Sequence, residues 1–464
     1  MRRFFYWAPI AFSSCALTAL ASFGADRIVL SANRTAEAVT RVSIEIEVGG
    51  HNLVRAEGEA EGRQAEQKLP MSVSAKLQYD ERGLAALTNG TTDKTPLAAR
   101  YYHKTEAVLK VDQSGRAPKL ADDRRLIVVE SGADRPILYC PDGALTREQL
   151  DLIDVGGDAI WLDRLLPTVA VAKDESWSND AAVMGPLLTL DTVAVCEIKS
   201  VLESYNANFA KIRLAGSLQG TADGAATELE VRAVYLYDRR SKRVSRLNLA
   251  VRERRSIGGA TPGVDAVAKL QIQVDPIEKS AQLDDATIAK ATGATRDSAR
   301  DLIYESGRLG LRFRHDRRWF VTSEQRESVT LRRVERGDVI AQCTLAALPP
   351  KSAGRQTSLE QFQNDVTYSL GKSFGEMVSS RQWQNAASLY CYELIARGLV
   401  EEVPVEWHYY LLAPESGERV SAAITLEKPM VDRIGNADRA LIESLELFPR
   451  MPAAQTATLP NPKQ

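Results

Sequence analysis

Basic side chains concentrate in one stretch of the chain, where they could attract an anionic partner. Residues 238–256 hold eight basic and two acidic residues. If Leu247, Leu249 and Val251 face a core, the period-two alternation of a strand places the intervening residues together on the opposite face. These include Arg246, Arg252 and Arg254. Such a stripe can bind an anionic lipid headgroup, a polysaccharide or an acidic protein.

A second basic cluster lies at residues 308–318. Arg312 and Arg314 also alternate there, so we add them to the first three arginines as candidate anion-binding or partner-binding residues. The alternative is a solvated strand face whose arginines pair with acidic neighbours such as Glu228 and Glu230. The sequence leaves both interpretations open.

Several motifs of catalytic and cofactor-binding sites are missing. The sequence has no phosphate-binding G-x-x-x-x-G-K-[ST] loop, no G-x-G-x-x-G dinucleotide fingerprint and no EF-hand loop. We therefore predict no catalytic residue, no cofactor and a protein that is not an enzyme. A deep cleft holding two or more polar groups with displaced pKa values would favour an enzyme instead.

Metal ligands also lack a recognisable pattern. The four histidines occur in no H-E-x-x-H motif and no Cys/His cluster, so we predict no metal site. Three alternating glutamates could hold calcium or form a solvated acidic edge: Glu57, Glu59 and Glu61. Four cysteines without a C-x-x-C motif could be buried free thiols or one disulfide per half: Cys140, Cys196, Cys343 and Cys391.

The whole chain is nearly neutral. It has 59 Lys+Arg and 61 Asp+Glu among 464 residues, a net charge of −2. Nucleic-acid affinity comes largely from neutralising phosphates, so this balance argues against a nucleic-acid partner. The apolar fraction of 44% is ordinary for a globular protein and excludes a disordered or multi-span membrane chain.

The first 25 residues have the layout of a secretory signal peptide. Arg2 and Arg3 precede an apolar stretch that ends in small residues. We therefore predict an exported protein, periplasmic or extracellular, with no transmembrane span after cleavage. An uncleaved membrane anchor is the alternative.

The elements that must position these residues are mostly strands. Between residues 26 and 275 apolar and polar residues alternate, as in Val42–Val48, and Glu228–Tyr237 with Val244–Arg254 predicts a hairpin. The capping box Thr146–Gln149 begins a helix. We predict an α+β protein whose first domain is a large curved antiparallel sheet with a few helices on one side.

A second domain follows at residues 305–448, after a partly helical linker at 276–304. Its strands flank a helix that begins at the capping box Ser358–Gln361 and buries Phe362, Val366 and Leu370. A closing helix is predicted over 437–447, and a disordered tail over 449–464.

The second domain resembles the PsbP-like fold, an antiparallel sheet flanked by helices. The resemblance rests on Trp319, Gly337–Cys343, Ser358–Phe362, Glu406–Tyr410 and Ala437–Leu447. These are packing and turn features, so the resemblance implies a fold and no catalytic residue. PsbP-like domains generally dock onto other proteins, which implies a partner-binding role by analogy.

The first domain resembles, in the order of its strands and helices, the curved sheet of lipoprotein carriers of the LolA and LppX type. The chain is also similar in layout to uncharacterised secreted bacterial proteins that share the Asp174–Trp177 and Arg255–Gly258 stretches. That family implies no activity.

Two functions follow as expectations. The first is an exported, non-catalytic protein that binds an envelope component or a protein partner, where the partner is an envelope protein, a polysaccharide or a lipid. The alternative is a periplasmic carrier of an apolar, lipid-like ligand, which would lie between the curved sheet and the helices near residues 150–190.

Overall fold

The computed structural model describes residues 26–32, 37–55, 66–84, 95–132, 135–293, 297–352, 355 and 357–450. The predicted signal peptide, the three alternating glutamates and residues 451–464 of the predicted tail lie outside these ranges. The fold is α+β and rich in strands, as predicted.

The strands of the first half are β1 (Val39–Arg55), β2 (Glu66–Gly83), β3 (Pro96–Val111), β4 (Ser114–Arg116), β5 (Leu126–Glu130), β6 (Ile137–Tyr139), β7 (Ser176–Ser178), β8 (Thr192–Cys196), β9 (Lys199–Tyr205), β10 (Phe209–Ala222), β11 (Ala225–Asp238), β12 (Arg243–Arg255) and β13 (Gly263–Ile277). The later strands are β14 (Leu302–Ser306), β15 (Leu311–His315), β16 (Trp319–Glu324), β17 (Ser328–Glu335), β18 (Asp338–Leu348), β19 (Phe374–Gln384), β20 (Tyr390–Val400), β21 (Val403–Ala413), β22 (Arg419–Glu427) and β23 (Glu446–Leu447). The helices are α1 (Arg147–Ile153), α2 (Ala159–Leu162), α3 (Ala181–Leu187), α4 (Asp285–Gly293), α5 (Leu359–Leu370), α6 (Val431–Ile434) and α7 (Ala437–Glu443).

Strands β1 to β13 form one antiparallel sheet. Its main path runs β6-β5-β3-β2-β1-β13-β12-β11-β10-β9-β7, with β4 paired to β3 and β8 to β10. One face, which we call the inner face, carries buried apolar residues such as Leu247 and Leu249 and shares a core with α1, α2 and α3. The opposite, outer face carries the exposed residues. The predicted hairpin is confirmed as β11 and β12.

Buried charges fix the helices to the inner face. Arg100 on β3 is 2% exposed; it donates to Glu81 on β2 over 2.8 Å and to Asp158, the N-cap of α2. The predicted capping box at Thr146 is confirmed at the start of α1. The helices are therefore held both by apolar packing and by ion pairs that have little access to water.

The segment predicted as a linker lies against the first half. Ala291 at the end of α4 and Ala299 pack on Val128 and Tyr139, and β13 ends at Ile277. Two arginines join the halves further: Arg317 donates to the carbonyl of Leu138, and the side chain of Arg300 pairs with Glu130 at 2.7 Å.

The second half contains a seven-stranded sheet and a three-stranded sheet. The first has the order β16-β17-β18-β22-β21-β20-β19, and the second has the order β14-β15-β23. Helix α5 buries Phe362 and Val366, as its apolar spacing predicts, and ends where Gly371 takes a positive φ of 52°. The predicted closing helix is shorter than expected, because residues 446–447 pair with β15 instead of continuing α7.

The four cysteines of the described chain are free thiols. Cys343 lies on β18 and Cys391 on β20, and two strands separate them. Three strand spacings are about 14 Å, which is too far for the Cα atoms of a disulfide. In the described part of the chain, no helix is long and apolar enough to cross a membrane.

Candidate functional site

A cavity of about 1020 Å³ lies between the inner face of the large sheet, helix α1 and strands β14 to β16. Protein interiors are normally packed with few voids larger than a water molecule. Known ligand pockets fall at about 300–1,000 Å³. The cavity is thus large enough for a ligand.

Two rows of apolar side chains form the floor of this cavity. The antiparallel register aligns one residue from each of five neighbouring strands in each row. The first row is Ala107, Ala75, Ile46, Leu270 and Leu249, and the second is Leu109, Val73, Val48, Ala268 and Val251. The first row is buried and most of the second is half-buried, so the cavity opens towards the second row.

Helix α1 and the turn that follows it form the roof. Its capping box fixes its first turn, and Leu152 turns an apolar side chain towards the cavity. The turn at Gly156 and Gly157 passes directly over the sheet. Gly157 has a φ of +83°, which favours glycine, and a Cβ at this position would also displace Ile272 Cδ1, 2.2 Å away.

The far wall comes from the second half. Tyr304, His315, Trp319 and Phe320 line it. Arg147 of α1 holds this wall in place: its guanidinium donates to the carbonyl of Arg317 and lies 4.5 Å from the centre of the Phe320 ring. The cavity therefore depends on contact between the two halves of the chain.

Charged groups surround the apolar floor. The lining has seven carboxylates and two guanidinium groups: Glu148, Asp151, Asp154, Asp223, Glu253, Glu305, Glu324, Arg116 and Arg147. Asp154 pairs with Arg135 at 3.5 Å, and Asp223 and Glu253 both pair with Arg255. An apolar floor under polar walls suits an amphipathic ligand.

Two titratable groups in the cavity have displaced pKa values. The cavity walls raise the pKa of Asp151, because they remove part of its solvation and place Asp223 and Asp154 nearby, although 64% of its side-chain surface stays accessible. Burial also lowers the pKa of His315 to about 4, so the imidazole is neutral at pH 7. Two displaced groups in one cleft are the observation that would favour an enzyme, so the prediction of a protein that is not an enzyme stays a prediction. Within the described residues, however, no hydrogen bond joins either group to a hydroxyl or thiol nucleophile.

Residues 371–375, Gly-Lys-Ser-Phe-Gly, match the G-x-S-x-G pattern of hydrolase nucleophile elbows. The prediction of no catalytic residue does not take this match into account. The structure places Ser373 between α5 and β19. A nucleophile elbow runs from strand to helix, whereas this segment runs from helix to strand. No histidine hydrogen-bonds to Ser373 in the described chain, so the match lacks the geometry of an elbow.

A second polar cluster lies between β21 and α7. His408 Nδ1 is 2.5 Å from Asp438 Oδ2, and His408 Nε2 is 2.9 Å from Glu406 Oε1. Burial lowers the pKa of His408, but these hydrogen bonds outweigh it and the net shift is upwards. Both ring nitrogens serve carboxylates, so the charged imidazole has no free nitrogen for general base catalysis and is better explained as a structural group.

This cluster predicts a pH-dependent stability. Burial raises the pKa values of Asp438 and Glu406, but their hydrogen bonds have the larger, opposite effect. Both pKa values therefore lie below their usual range. The stabilisation from His408 is present below about pH 6.5 and is lost as the pH rises through its raised pKa. The stabilisation from the carboxylates is present above about pH 4.5 and is lost as the pH falls through their lowered pKa values.

We therefore expect His408→Gln to lower the free energy of unfolding most between about pH 4.5 and 6.5, by about 2 kcal/mol. Urea unfolding of both proteins across pH 4 to 9 measures the difference. The exposed His51→Gln serves as the matched control. A difference that stays constant with pH would contradict the assignment of a charged His408.

The structure separates the five candidate arginines. Arg246, Arg252 and Arg254 share the outer face of β12, as the alternation predicts, while Arg312 and Arg314 lie on β15 of another sheet. Most of them have carboxylate partners: Arg254 lies 3.4 Å from Glu230, Arg252 3.4 Å from Asp265 and Arg312 2.6 Å from Glu446. Anion or partner binding at these arginines stays a prediction.

No protein-family model matches the chain, and no curated protein sequence matches it. The solution structure of cyanobacterial PsbP (CyanoP) from Synechocystis sp. PCC 6803 is similar to part of it, with 15% identity and a TM-score of 0.27, covering 32% of this chain and 92% of that one. A crystal structure from Bacteroides thetaiotaomicron VPI-5482 has 10% identity and a TM-score of 0.24, covering 31% of this chain and 47% of that one. The PsbP-like resemblance is thus a weak one over about a third of the chain.

Proposed function

We propose that the protein binds an elongated apolar molecule, such as the acyl chain of a lipid, in the cavity between the large sheet and the second half. The observation that carries this proposal is the floor of two apolar rows under a volume of about 1020 Å³. The half-buried residues of the second row expose apolar surface to this volume, which costs free energy that a bound apolar ligand would offset.

The dimensions of the floor suit a lipid chain. Five strands at about 4.8 Å spacing span about 19 Å. One leaflet of a bilayer has a hydrocarbon depth of about 15 Å, so an extended acyl chain fits along a row. Of the two expected functions, the proposal favours the carrier of an apolar ligand. It also names a lipid as the envelope component that the first expectation does not specify.

The proposal includes export and a non-catalytic role. Export rests on the predicted signal peptide at residues 1–25, and the non-catalytic role rests on the catalytic and cofactor-binding motifs that the sequence lacks. Export and the non-catalytic role are both expectations.

A titration with the uncharged fluorophore N-phenyl-1-naphthylamine tests the proposal. We expect saturable binding with a blue-shifted emission and a Kd in the range of about 1–10 µM, because apolar burial drives the association. Decanol should displace the fluorophore. A signal that rises without saturation, or that decanol leaves unchanged, would contradict binding in this cavity.

A further inference from the structure

Two N–H groups where the roof meets the far wall lack hydrogen-bond acceptors. Trp319 is completely buried and lines the cavity, yet its indole Nε1 has no acceptor within the described chain. The Nε atom of Arg147 is also buried and unpartnered there, and Nη2 of the same guanidinium lies 3.5 Å from the carbonyl oxygen of Trp319. Buried N–H groups normally find an acceptor, and neither of these two can accept a hydrogen bond itself. They therefore indicate a missing acceptor at this corner of the cavity.

A third group on the same wall has the opposite capacity. His315 lines the cavity and is 5% exposed. Its Nδ1 lies 2.8 Å from the carbonyl oxygen of Asp316, which only accepts, so Nδ1 carries the proton. Burial and the nearby charge of Arg147 lower the pKa of the imidazole, so the ring is neutral at pH 7. Nε2 is thus an acceptor, and no donor within the described residues forms a hydrogen bond to it.

The charges of the lining disfavour an anionic ligand. Asp151 lies 4.0 Å from Arg147, and seven carboxylates line the cavity with only two guanidinium groups. A carboxylate or phosphate head would add a further negative charge among them. An ammonium head would bring no acceptor for the two N–H groups. A hydroxyl group is uncharged, accepts hydrogen bonds from N–H groups and donates one to an imidazole nitrogen.

We propose that the occupant of the cavity is an uncharged amphiphile whose polar end is a hydroxyl group, and that this end lies beside Arg147, His315 and Trp319. After a small movement of the wall, its oxygen accepts from the two unpartnered N–H groups, and its proton is donated to His315 Nε2. The apolar tail lies on the two rows of the floor. This inference rests on the proposed function and adds to it the chemistry of the ligand's polar end.

Three ten-carbon ligands test the inference: decanol, 1-methoxynonane and decanoate. 1-Methoxynonane is an isomer of decanol whose oxygen accepts hydrogen bonds but cannot donate one. Competition against N-phenyl-1-naphthylamine at pH 7.5 gives the relative affinities for the chain without its predicted signal peptide. We expect decanol to bind about fivefold more tightly than its isomer, because only the hydroxyl donates to His315. Decanoate should bind most weakly, because its charge enters a lining rich in carboxylates.

The indole N–H signals in ¹H–¹⁵N spectra locate the ligand oxygen. Trp319→Phe identifies the signal of Trp319 as the one that it removes. We expect decanol and 1-methoxynonane to move this signal downfield, because an accepted hydrogen bond deshields the indole proton. Trp161 is the matched control: it is also buried with an unpartnered indole N–H, but it does not line the cavity. Its signal, identified with Trp161→Phe, should stay in place.

A histidine variant tests the donated hydrogen bond. His315→Phe keeps an aromatic ring and removes the acceptor nitrogen. It should reduce the preference for decanol over 1-methoxynonane to less than about twofold. The matched control, His51→Phe, changes an exposed residue of β1 outside the cavity and should leave the preference unchanged.

The outcomes separate this inference from the function beneath it. Equal affinities of the two isomers, tightest binding of decanoate, an unmoved Trp319 signal or an unchanged preference in His315→Phe would each overturn the hydroxyl assignment. Saturable binding of N-phenyl-1-naphthylamine would then leave apolar binding intact. Failure of the fluorophore and of all three ligands to bind would overturn both proposals.

Discussion

Replacing Arg100 with methionine is expected to lower the free energy of unfolding by about 3–5 kcal/mol. Arg100 is 2% exposed and pairs with both Glu81, which is 1% exposed, and the N-cap Asp158. Its guanidinium also lies 4.9 Å from the centre of the Tyr79 ring. Methionine keeps much of the apolar stem but leaves two carboxylates that have lost their shared counter-charge.

The same substitution at an exposed arginine gives the matched control. Arg254 pairs with Glu230 at 3.4 Å on the outer face of the same sheet, and its side chain is 51% exposed. Arg254→Met should therefore cost about 1 kcal/mol or less. Urea unfolding followed by circular dichroism measures both variants. Equal costs at the two positions would contradict the structural role of the buried triad.

Filling the cavity is expected to abolish ligand binding. Ala75→Trp and Ala268→Trp together place one indole in each row of the floor, on β2 and β13, which lie on either side of β1. Because both side chains line the cavity, we expect at least a tenfold loss of affinity for N-phenyl-1-naphthylamine. Ala75 is 7% exposed, so the added bulk there should also lower the free energy of unfolding by about 1–3 kcal/mol.

Ala250→Trp is the control for this variant. Ala250 lies on β12 between two floor residues, and its side chain points to the outer face beside Arg232 and Lys269. This substitution adds the same indole outside the cavity and should leave the affinity within about twofold. Unchanged affinity in the Ala75→Trp, Ala268→Trp variant would place the fluorophore elsewhere.

Local sequence patterns predict much of the fold. Strict alternation in residues 228–237 and 244–254 predicts the hairpin and the outer position of Arg246, Arg252 and Arg254. It also names Glu230 as an acidic neighbour, and Arg254 does pair with it. Capping boxes at Thr146 and Ser358 predict the first residues of two helices, because these side chains satisfy backbone N–H groups within one turn.

The cavity could not be predicted in the same way. Ile46 and Val48 would alternate with polar residues in the sequence whether the inner face of the sheet meets a packed layer or open space. The rows of the floor also depend on register between distant segments, since Ile46 lies opposite Leu270. The far wall at Tyr304 and Trp319 depends on the position of the second half, which no local pattern encodes.

The buried triad shows the same limit. Arg100 lies near the start of β3, and its sequence context would suit a solvated residue equally well. Its burial results from α2, whose N-cap Asp158 lies 58 residues away in sequence and directly over β3. Charge patterns predict surface pairs on neighbouring strands better than they predict pairs between layers.

Photo-crosslinking tests the central claim most directly. A single-chain alcohol whose alkyl chain carries a diazirine would be bound and irradiated, and its attachment sites would be mapped by mass spectrometry of the digested protein. The cavity assignment predicts that the crosslinks concentrate in β1, β2, β3, β12 and β13 at the floor rows, and that Ala75→Trp with Ala268→Trp abolishes them. Crosslinks that fall on outer-face peptides and persist in that variant would contradict binding in the cavity.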